Sequence, residues 1–518
     1  MVEIRGTASP TVIDASPPAP ILEYIKAAWR EQTRSHSDLA AAAADPKLSA
    51  EGRSPVYVSR NEDFNKIADR LRREMGPENF EKIDLRVLPE DPSTLRHHGL
   101  LYLPQSYVVP GGRFNEMYGW DSFFIEMGLL RDGDTELAKD MAENALYEVR
   151  AYGKVLNANR TYYLTRSHPP VLTQMVIAVY RRTHDLHWLE SALPDVERYH
   201  AYWISKPHLT PETGLSRYYD TGKGPAPEVL ASEHDASGRT DYDLIREYFQ
   251  THHVPDYDLS QYYDASKDRL TDLFYTGDRS MRESGFDPSG RFGPFSVDVI
   301  HYNPVCLNSL LYLMEQQTAE IFAILSRKGD ASVWRKRAQE RASRINQSMW
   351  NSEDGLYYDY DFIHGRIRRY PYLTSFYPLW AGIASKEQAE RVAQKIRLFE
   401  QPGGLQTSTT RTGDQWDAPL GWAPLQWIAI EGLRRYGYLA EALRISENYL
   451  SMIQQEFARS GNIEEKYDVV RRSADVSRTL RYGYHTNEAG FGWTNAVFTR
   501  LLDELPEEAR QRVLTACP

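Results

Sequence analysis

Cysteine is scarce in this sequence. Cys306 and Cys517 are the only two cysteines among 518 residues, and they lack the C-x-x-C spacing that metal and redox sites use. We therefore expect two free thiols and no cysteine-based metal site.

Long apolar runs are absent as well. No stretch of about 18 apolar residues occurs, and residues 1–7 lack the apolar core of a secretory signal. These absences predict a protein without a membrane partner, located in the cytoplasm.

Basic residues are outnumbered by acidic ones. The chain has 61 Lys and Arg against 72 Asp and Glu, a formal net charge of -11 at pH 7. Such a charge repels phosphate backbones and anionic membrane surfaces. Nucleic acid is therefore a poor candidate partner.

Strand-like alternation is scarce, whereas amphipathic helical periodicity recurs along the chain. It predicts helices at residues 21–34, 135–152, 171–182, 305–326, 386–398, 424–436 and 439–457. Residues 1–18 are rich in Pro, Ala, Ser and Thr and predict a mobile tail. Residues 19–518 predict a single domain, with an insertion at about residues 230–278 that we expect to wall a substrate pocket.

Three loop segments bounded by Gly or Pro combine the groups that a sugar site needs. Aromatic rings stack on a pyranose, and planar polar side chains bind adjacent hydroxyls in pairs. The segments are residues 110–121, 157–170 and 415–424. Any one of their Trp, Arg or Asp residues is by default a core side chain or half of a salt bridge. Their clustering in loops on a helical scaffold favours binding.

Residues 110–121 and 415–424 resemble the two signature segments of the trehalase family, glycoside hydrolase family 37. Residues 157–170, 283–287, 465–468 and 490–495 resemble further family segments in the family's order, so the resemblance covers about residues 20 to 505. It implies an all-α fold, an (α/α)6 barrel or six-hairpin toroid with loop insertions over the active-site end. It implies neither a metal nor an organic cofactor.

The resemblance also implies hydrolysis of trehalose with inversion, in which a carboxylic acid protonates the bridging oxygen and a carboxylate activates water. The general acid is implied to be Asp287, in the segment Glu-Ser-Gly-Phe-Asp, and the general base Glu465, in the segment Glu-Lys-Tyr-Asp. Its neighbour Glu464 stays open as an alternative base. Inversion requires the two carboxyl groups to lie roughly 6.5 to 9.5 Å apart.

The resemblance further implies a set of substrate-binding residues for a small-molecule sugar. Arg291, shortly after the acid, is expected to tune the charge of the acid. The set comprises Arg113, Phe114, Trp120, Asp121, Asn157, Arg166, His168, Glu228, Arg291, Trp416 and Asp417.

Several positions depart from the family pattern. His168 replaces a glutamine, Ala226 an arginine and Phe286 a tryptophan, and residues 482–488 stand in place of a Gly-rich lid ending in Glu-Tyr-Pro-Leu-Gln. Replacing arginine by alanine at position 226 removes up to five hydrogen-bond donors and a fixed positive charge. These departures predict a remodelled leaving-group side beside an intact site for the reacting glucose.

Other functions remain open at this point. One is an inverting α-glucosidase acting on another small α-glucoside, such as glucosylglycerate, glucosylglycerol or a different disaccharide. A non-catalytic sugar-binding protein would have no reason to keep both carboxylates. A metal hydrolase has only His252-His253 in its favour, without H-E-x-x-H spacing. The sequence leaves the oligomeric state undetermined.

Overall fold

The computed structural model describes residues 20–45, 52–232, 237–484 and 486–516. The tail predicted at residues 1–18, and Cys517, lie outside the described residues. The helices are α1 (Pro20–Glu31), α2 (Leu39–Ala43), α3 (Phe64–Met75), α4 (Pro77–Phe80), α5 (Gly119–Asp132), α6 (Thr135–Tyr152), α7 (Leu172–Thr183), α8 (Leu186–Trp203), α9 (Pro227–Ser232), α10 (Asp241–Thr251), α11 (Asp272–Glu283), α12 (Val305–Ile324), α13 (Lys328–Ser348), α14 (Tyr377–Ala381), α15 (Lys386–Gln394), α16 (Ala423–Arg435), α17 (Leu439–Ser460), α18 (Gly492–Asp503) and α19 (Glu507–Leu514).

Strands are short and lie in the connections. They are β1 (Thr33–Arg34), β2 (Ser54–Val58), β3 (Ile83–Val87), β4 (Leu100–Leu101), β5 (Tyr107–Val108), β6 (Leu209–Thr210), β7 (Leu215–Ser216), β8 (Tyr263–Asp264), β9 (Arg269–Leu270), β10 (Tyr302–Asn303), β11 (Trp350–Asn351), β12 (Leu356–Tyr357), β13 (Asp359–Asp361), β14 (Arg366–Arg368), β15 (Glu400–Gln401), β16 (Gly404–Leu405), β17 (Leu420–Trp422) and β18 (Lys466–Asp468). The sheet β3-β2-β4 is parallel, and the other pairings, β1-β5, β6-β7, β8-β9, β10-β13-β14, β11-β12, β15-β16 and β17-β18, are antiparallel.

Six helices form a closed inner ring. Around the ring α5 contacts α7, α7 contacts α12, and α14, α16 and α18 follow in turn until α18 returns to α5. Most residues of α5, α7, α12, α16 and α18 are buried, as expected of helices that are apolar on more than one face. The outer helices α6, α8, α13, α15 and α17 each follow an inner helix, and α1 packs against α18. The predicted (α/α)6 barrel is confirmed.

The two ends of the ring differ in the length of their connections. Each inner helix is joined to the next outer helix by a short turn. In three of these turns the side chain of Asp134, Asp185 or Ser385 caps the outer helix, α6, α8 or α15 respectively. The return from an outer to an inner helix is long, as at residues 153–171, 204–304 and 461–491. The segments resembling family motifs all lie in these returns or in the first turn of the inner helix that follows.

The predicted helices agree with the structure apart from their ends. The helix predicted at 135–152 has the same limits as α6, and that at 424–436 is shifted by one residue from α16. The helix predicted at 386–398 ends at Gln394 and continues as a 3-10 turn, Lys395–Leu398. The parallel sheet β3-β2-β4 was not predicted, because its strands are too short to show a clear alternation.

The insertion predicted at about residues 230–278 contains α10, α11 and the hairpin β8-β9. Its apolar residues form a small core of their own around Tyr242, Phe249, Phe274 and Phe295. Ala226 is fully buried in this core. The position where the family pattern has arginine therefore packs inside the protein.

Glu126 is an unusual residue of the inner ring. It lies on α5 with 1% of its surface exposed, and within the described residues neither of its carboxylate oxygens has a hydrogen-bond partner. Burial raises the pKa of Glu126 well above 4.5. A buried polar group without a partner costs stability.

Replacing Glu126 by Met is expected to stabilise the protein, by on the order of 1–3 kcal/mol near neutral pH. In the folded state Glu126 keeps its proton, whereas in the unfolded state it releases the proton above about pH 4.5. The contribution of Glu126 therefore lowers the free energy of unfolding of the unchanged protein as pH rises. Urea denaturation at about pH 5 and about pH 7.5 should show a larger gain at the higher pH.

The matched control is Glu340→Met on α13, where the carboxylate is about half exposed and pairs with Lys336. This change should alter the free energy of unfolding by no more than about 0.5 kcal/mol. An equal gain for Glu126→Met at both pH values would contradict a titrating role for Glu126.

Candidate active site

A cavity opens where the N-terminal ends of the inner helices meet. Its empty volume, including open solvent at its mouth, is about 680 Å³. The residues lining it are Pro110, Arg113, Phe114, Tyr118, Trp120, Asp121, Asn157, Tyr163, Arg166, His168, Glu228, Arg282, Gly285, Asp287, Trp416, Glu465, Tyr484, Phe491 and Trp493.

Eleven of the thirteen residues predicted from the sequence line this cavity. They are Arg113, Phe114, Trp120, Asp121, Asn157, Arg166, His168, Glu228, Asp287, Trp416 and Glu465. They come from five different connections of the ring, so the fold brings together residues that are distant in sequence.

Arg291 and Asp417 do not line the cavity. Arg291 is fully buried and donates from Nε and Nη2 to the two carboxylate oxygens of Asp359, at 2.7 and 2.6 Å. Asp417 accepts hydrogen bonds from Gly290 N at 2.7 Å and Ser408 Oγ at 2.7 Å. Both side chains hold the loop that follows Asp287.

The turn that carries Asp287 is fixed by Glu283 and Gly285. The buried carboxylate of Glu283, at the end of α11, accepts from Ser167 N at 2.8 Å and Tyr219 N at 2.7 Å. Gly285 has φ +74, and a Cβ atom there would lie 3.2 Å from the indole of Trp120. A residue with a side chain is therefore strained at this position.

Asp287 and Glu465 have different surroundings. The side chain of Asp287 is 30% exposed, and its Oδ2 lies 3.6 Å from Arg282 Nη1. Glu465 is buried; its Oε2 accepts from Lys466 Nζ at 2.8 Å and its Oε1 accepts from the hydroxyl of Tyr484. Burial raises the pKa of Glu465, and the Lys466 ammonium and the Tyr484 hydroxyl oppose that rise. These two donors favour the carboxylate form.

Asp121 is the third carboxyl group of the cavity. It lies in the first turn of α5, and burial, followed by the charges of Glu465 and Asp287, raises the pKa of Asp121 well above its usual range. Like charges in a cavity shielded from water favour a proton on one of them. A protonated Asp121 could donate a hydrogen bond to a ligand hydroxyl.

Basic side chains line the same cavity. Arg166 pairs with Glu228, and within the described residues its Nε and Nη1 atoms have no hydrogen-bond partner. Arg113 lies over the ring of Tyr484 at 4.3 Å. Arg282, which was not predicted, also lines the cavity. It adds a guanidinium to a cavity that receives none from position 226, where alanine replaces the arginine of the family pattern.

His168 stands where the family pattern has glutamine. Its Nδ1 accepts from the backbone N–H of Trp120 at 3.2 Å. Burial, and next the charge of Arg166, lower the pKa of His168 well below 6.5. The ring is therefore neutral with its proton on Nε2. The Nε2–H group is a hydrogen-bond donor, as the side-chain amide of the glutamine would be.

Tryptophan rings form one wall of the cavity. Trp416 stacks on Trp422 at 3.9 Å between centroids, and Trp120 lies 6.0 Å from Trp416 and 5.8 Å from Trp493. Phe286 packs against Trp120 and Trp416 without lining the cavity. The change from Trp to Phe at position 286 therefore affects packing behind the wall.

Glu464, the alternative base, lies outside the lining. Burial, then the charges of Glu488 and Glu465, raise the pKa of Glu464 to about 7. The geometry favours Glu465 over its neighbour because only the Glu465 carboxylate faces the other groups of the cavity.

Residues that the sequence did not predict also line the cavity: Pro110, Tyr118, Tyr163, Arg282, Gly285, Tyr484, Phe491 and Trp493. Most of them lie within or next to the segments that resemble the family, which is the only signal that marked them. Tyr484 lies in the stretch that replaces the family's lid, so no motif pointed to it.

The described residues contain neither a candidate metal site nor a helix that could cross a membrane. No group of three or more His, Cys, Asp or Glu side chains is placed there to hold a metal ion. Among the described helices, none combines the length and apolar character needed to cross a membrane. His252, one of the two histidines that raised the metal-hydrolase alternative, stacks on Tyr248 with 4.0 Å between the ring centroids.

Comparison with protein families and curated sequences gives consistent matches. A family model described as Trehalase matches residues 15–506. The cytosolic neutral trehalase of Saccharomyces cerevisiae is 36% identical over 447 residues, which cover 79% of this chain and 58% of the relative. The periplasmic trehalase of Salmonella choleraesuis is 35% identical over 429 residues, 79% of this chain and 70% of the relative. The chain thus spans somewhat less than two thirds of the yeast relative's length.

Solved structures show the same likeness. Neutral trehalase Nth1 from Saccharomyces cerevisiae superposes with a TM-score of 0.80 at 30% identity, covering 96% of both chains. The GH63 mannosylglycerate hydrolase from Thermus thermophilus in complex with glucose superposes with a TM-score of 0.52 at 18% identity, covering 76% of this chain and 95% of that chain. At that identity the second likeness concerns the fold alone.

Tyr484→Phe is expected to raise the pKa of Glu465, because the carboxylate loses one of its two hydrogen-bond donors. If catalysis requires ionised Glu465, the acidic limb of the pH profile of kcat/KM moves to higher pH by about one unit. The control is Tyr163→Phe, another tyrosine of the lining, whose hydroxyl contacts Tyr118. Equal shifts in both variants would contradict a specific link between Tyr484 and Glu465.

Proposed function

The chain belongs to the trehalase family, and from that premise we propose that it hydrolyses α,α-trehalose to two glucose molecules with inversion at the reacting carbon. The observation that carries the proposal is that Asp287 and Glu465 line one aromatic cavity in different electrostatic surroundings. The relatives named trehalases over most of this chain support the same substrate.

In the proposed reaction Asp287 is the general acid and Glu465 the general base. Asp287, the more exposed of the two, protonates the bridging oxygen as the glycosidic bond breaks. Glu465, held as a carboxylate by Lys466 and Tyr484, takes a proton from the water that attacks the opposite face of the sugar. Inversion requires a gap of roughly 6.5 to 9.5 Å between the carboxyl groups.

The reacting glucose is proposed to lie against Trp120, with Arg166, Asp121 and His168 on its hydroxyls. Arg166 suits this role because two of its nitrogens, Nε and Nη1, have no hydrogen-bond partner among the described residues, although Nη1 lies 3.9 Å from the carboxylate of Asp220. His168 offers its Nε2–H whatever the pH near neutrality, because its pKa is well below 6.5. A neutral substrate is bound by such fixed donors and by a protonated carboxyl group.

A second candidate is hydrolysis of a different small α-glucoside, such as glucosylglycerate or glucosylglycerol. One observation favours it: Ala226 is buried in the core of the insertion, so no guanidinium reaches the cavity from that position. Arg282 enters the cavity from another segment, where its Nη1 lies 3.6 Å from Oδ2 of the proposed acid Asp287.

The cytoplasmic location predicted from the sequence stays a prediction. The named relatives include a cytosolic and a periplasmic trehalase. Fractionation of the source cells into cytosol and envelope fractions, followed by immunoblotting, decides between the two compartments.

Replacing either carboxyl group is expected to lower kcat by at least about 10²-fold, because each takes part in proton transfer. The variants are Asp287→Asn and Glu465→Gln, with Glu464→Gln as the matched control. The control should keep most of the activity, and calorimetric titration should show that Asp287→Asn still binds trehalose. Comparable losses in the two glutamate variants would leave Glu465 without a special role.

The substrate and the stereochemistry are tested together by following glucose release with NMR. The panel contains trehalose, glucosylglycerate, glucosylglycerol, kojibiose and maltose. Inversion of trehalose yields α- and β-glucose in equal initial amounts, because only one of its two α-glucosyl units reacts. Release of β-glucose from another glucoside with trehalose untouched would support the second candidate, and no turnover at all would contradict both.

A further inference from the structure

A second cavity lies beside the first, and we name it the neighbouring cavity. Its empty volume is about 610 Å³. Its walls include Tyr248 and Asp256 from the insertion, Arg368 and Tyr370 from the segment at and after β14, Asp414, and Tyr482. The insertion was expected to wall a substrate pocket; Tyr248 and Asp256 line this cavity, whereas none of residues 237–278 lines the active-site cavity.

Three chain segments border both cavities. Asp287, Trp416 and Tyr484 line the active-site cavity, whereas Gly290, Asp414 and Tyr482, a few residues away on the same segments, line the neighbouring cavity. Between them lies Gln415, which donates from Nε2 to the backbone oxygen of Asp287. A Cβ atom on Gly483 would approach the side chain of Gln415 to 2.9 Å, so the dividing wall is closely packed.

Asp414 supplies a buried carboxyl group to the neighbouring cavity. It is 4% exposed, and its Oδ1 has no hydrogen-bond partner within the described residues. Burial, followed by the charge of Asp417, raises the pKa of Asp414 well above its usual range. A protonated carboxyl group both donates and accepts, as a ligand hydroxyl requires.

The rest of the lining combines a fixed guanidinium with aromatic rings. Arg368 donates to the backbone oxygens of Arg291 and Gly290 and pairs with Asp256 at 2.9 Å. Tyr482 packs edge to face against Phe295 at 4.7 Å and is only partly buried. Partly exposed aromatic rings beside planar polar groups are the surfaces on which sugar rings stack and bind hydroxyls.

Charge narrows the chemical class of the ligand. An anion would be repelled by the carboxylate of Asp256, and a metal cation would be repelled by the guanidinium of Arg368. A neutral polyhydroxylated molecule is repelled by neither charge. Its hydroxyl groups form hydrogen bonds with both the carboxyl groups and the guanidinium.

We propose that the neighbouring cavity is a second carbohydrate site, which binds a neutral sugar such as glucose with a hydroxyl on Asp414 and the ring against Tyr482. The site is separate from the active-site cavity and does not depend on the identity of the hydrolysed substrate. The insertion provides its outer wall through Tyr248 and Asp256.

The proposal is tested in the full chain by measuring whether glucose protects an engineered thiol in the neighbouring cavity from alkylation. Thr410 lies on the lining of the neighbouring cavity and is exposed, so Thr410→Cys in a Cys517→Ser background places a reactive thiol there, while Cys306 is buried. Glucose is expected to slow alkylation of this thiol by iodoacetamide saturably, by at least about threefold, because a bound ligand excludes the reagent from the cavity.

Two further variants assign the protection to one cavity. Asp414→Leu should abolish it by removing the hydroxyl partner, and Tyr482→Ala should do so as well if Asp414→Leu fails to fold. Arg166→Ala, which disables the active-site cavity, should leave the protection intact. The result therefore stays informative even if the proposed hydrolysis fails.

The matched control is Ser352→Cys, an exposed turn residue between β11 and β12, whose alkylation glucose should not slow. The proposal is overturned if glucose leaves Thr410→Cys unprotected or slows both thiols equally. It is also overturned if the protection survives both Asp414→Leu and Tyr482→Ala, or disappears with Arg166→Ala.

Discussion

The closure of the inner ring is the constraint on which the site depends. Because α5, α7, α12, α14, α16 and α18 pack in a circle, the connections that return to them meet at one end. Short turns from inner to outer helices lie at the other end, and in three of them a side chain caps the outer helix. Most residues that line the cavity therefore lie on loops or in the first turn of an inner helix, a common arrangement for sites built on rigid scaffolds.

Buried hydrogen bonds then set the positions of the two carboxyl groups. Glu283 ties the turn before Asp287 to the segment around Ser167, and the pairing of β17 with β18 places Glu465 beside the tryptophan wall. Lys466 and Tyr484 hold the two oxygens of Glu465, whereas Asp287 keeps an exposed edge. The two carboxyl groups thus have different surroundings, which the acid and base roles proposed for them require.

Two of the four departures from the family pattern, at Ala226 and at Tyr482, lie in or against the core of the insertion, whereas His168 lines the active-site cavity and Phe286 packs against Trp120. Ala226 belongs to the core of the insertion, and the insertion also supplies the outer wall of the neighbouring cavity. Tyr484 and Tyr482 lie in the stretch that replaces the family's lid, one on each cavity. The segment 482–484 thus borders both cavities, and the insertion borders the neighbouring cavity.

The sequence by itself determined the helical class and the approximate limits of seven helices, because periodicity is a local property of the chain. The family resemblance supplied eleven of the residues that line the cavity. It also implied Arg291 and Asp417, whereas in the structure Arg291 pairs with Asp359 and Asp417 binds the loop after Asp287. Only the tertiary structure decided that Arg282 and Tyr484 join the site, that His168 is neutral and that Asp414 borders a separate cavity. Side-chain direction, burial and pKa values depend on groups that are distant in sequence and meet only when the ring closes.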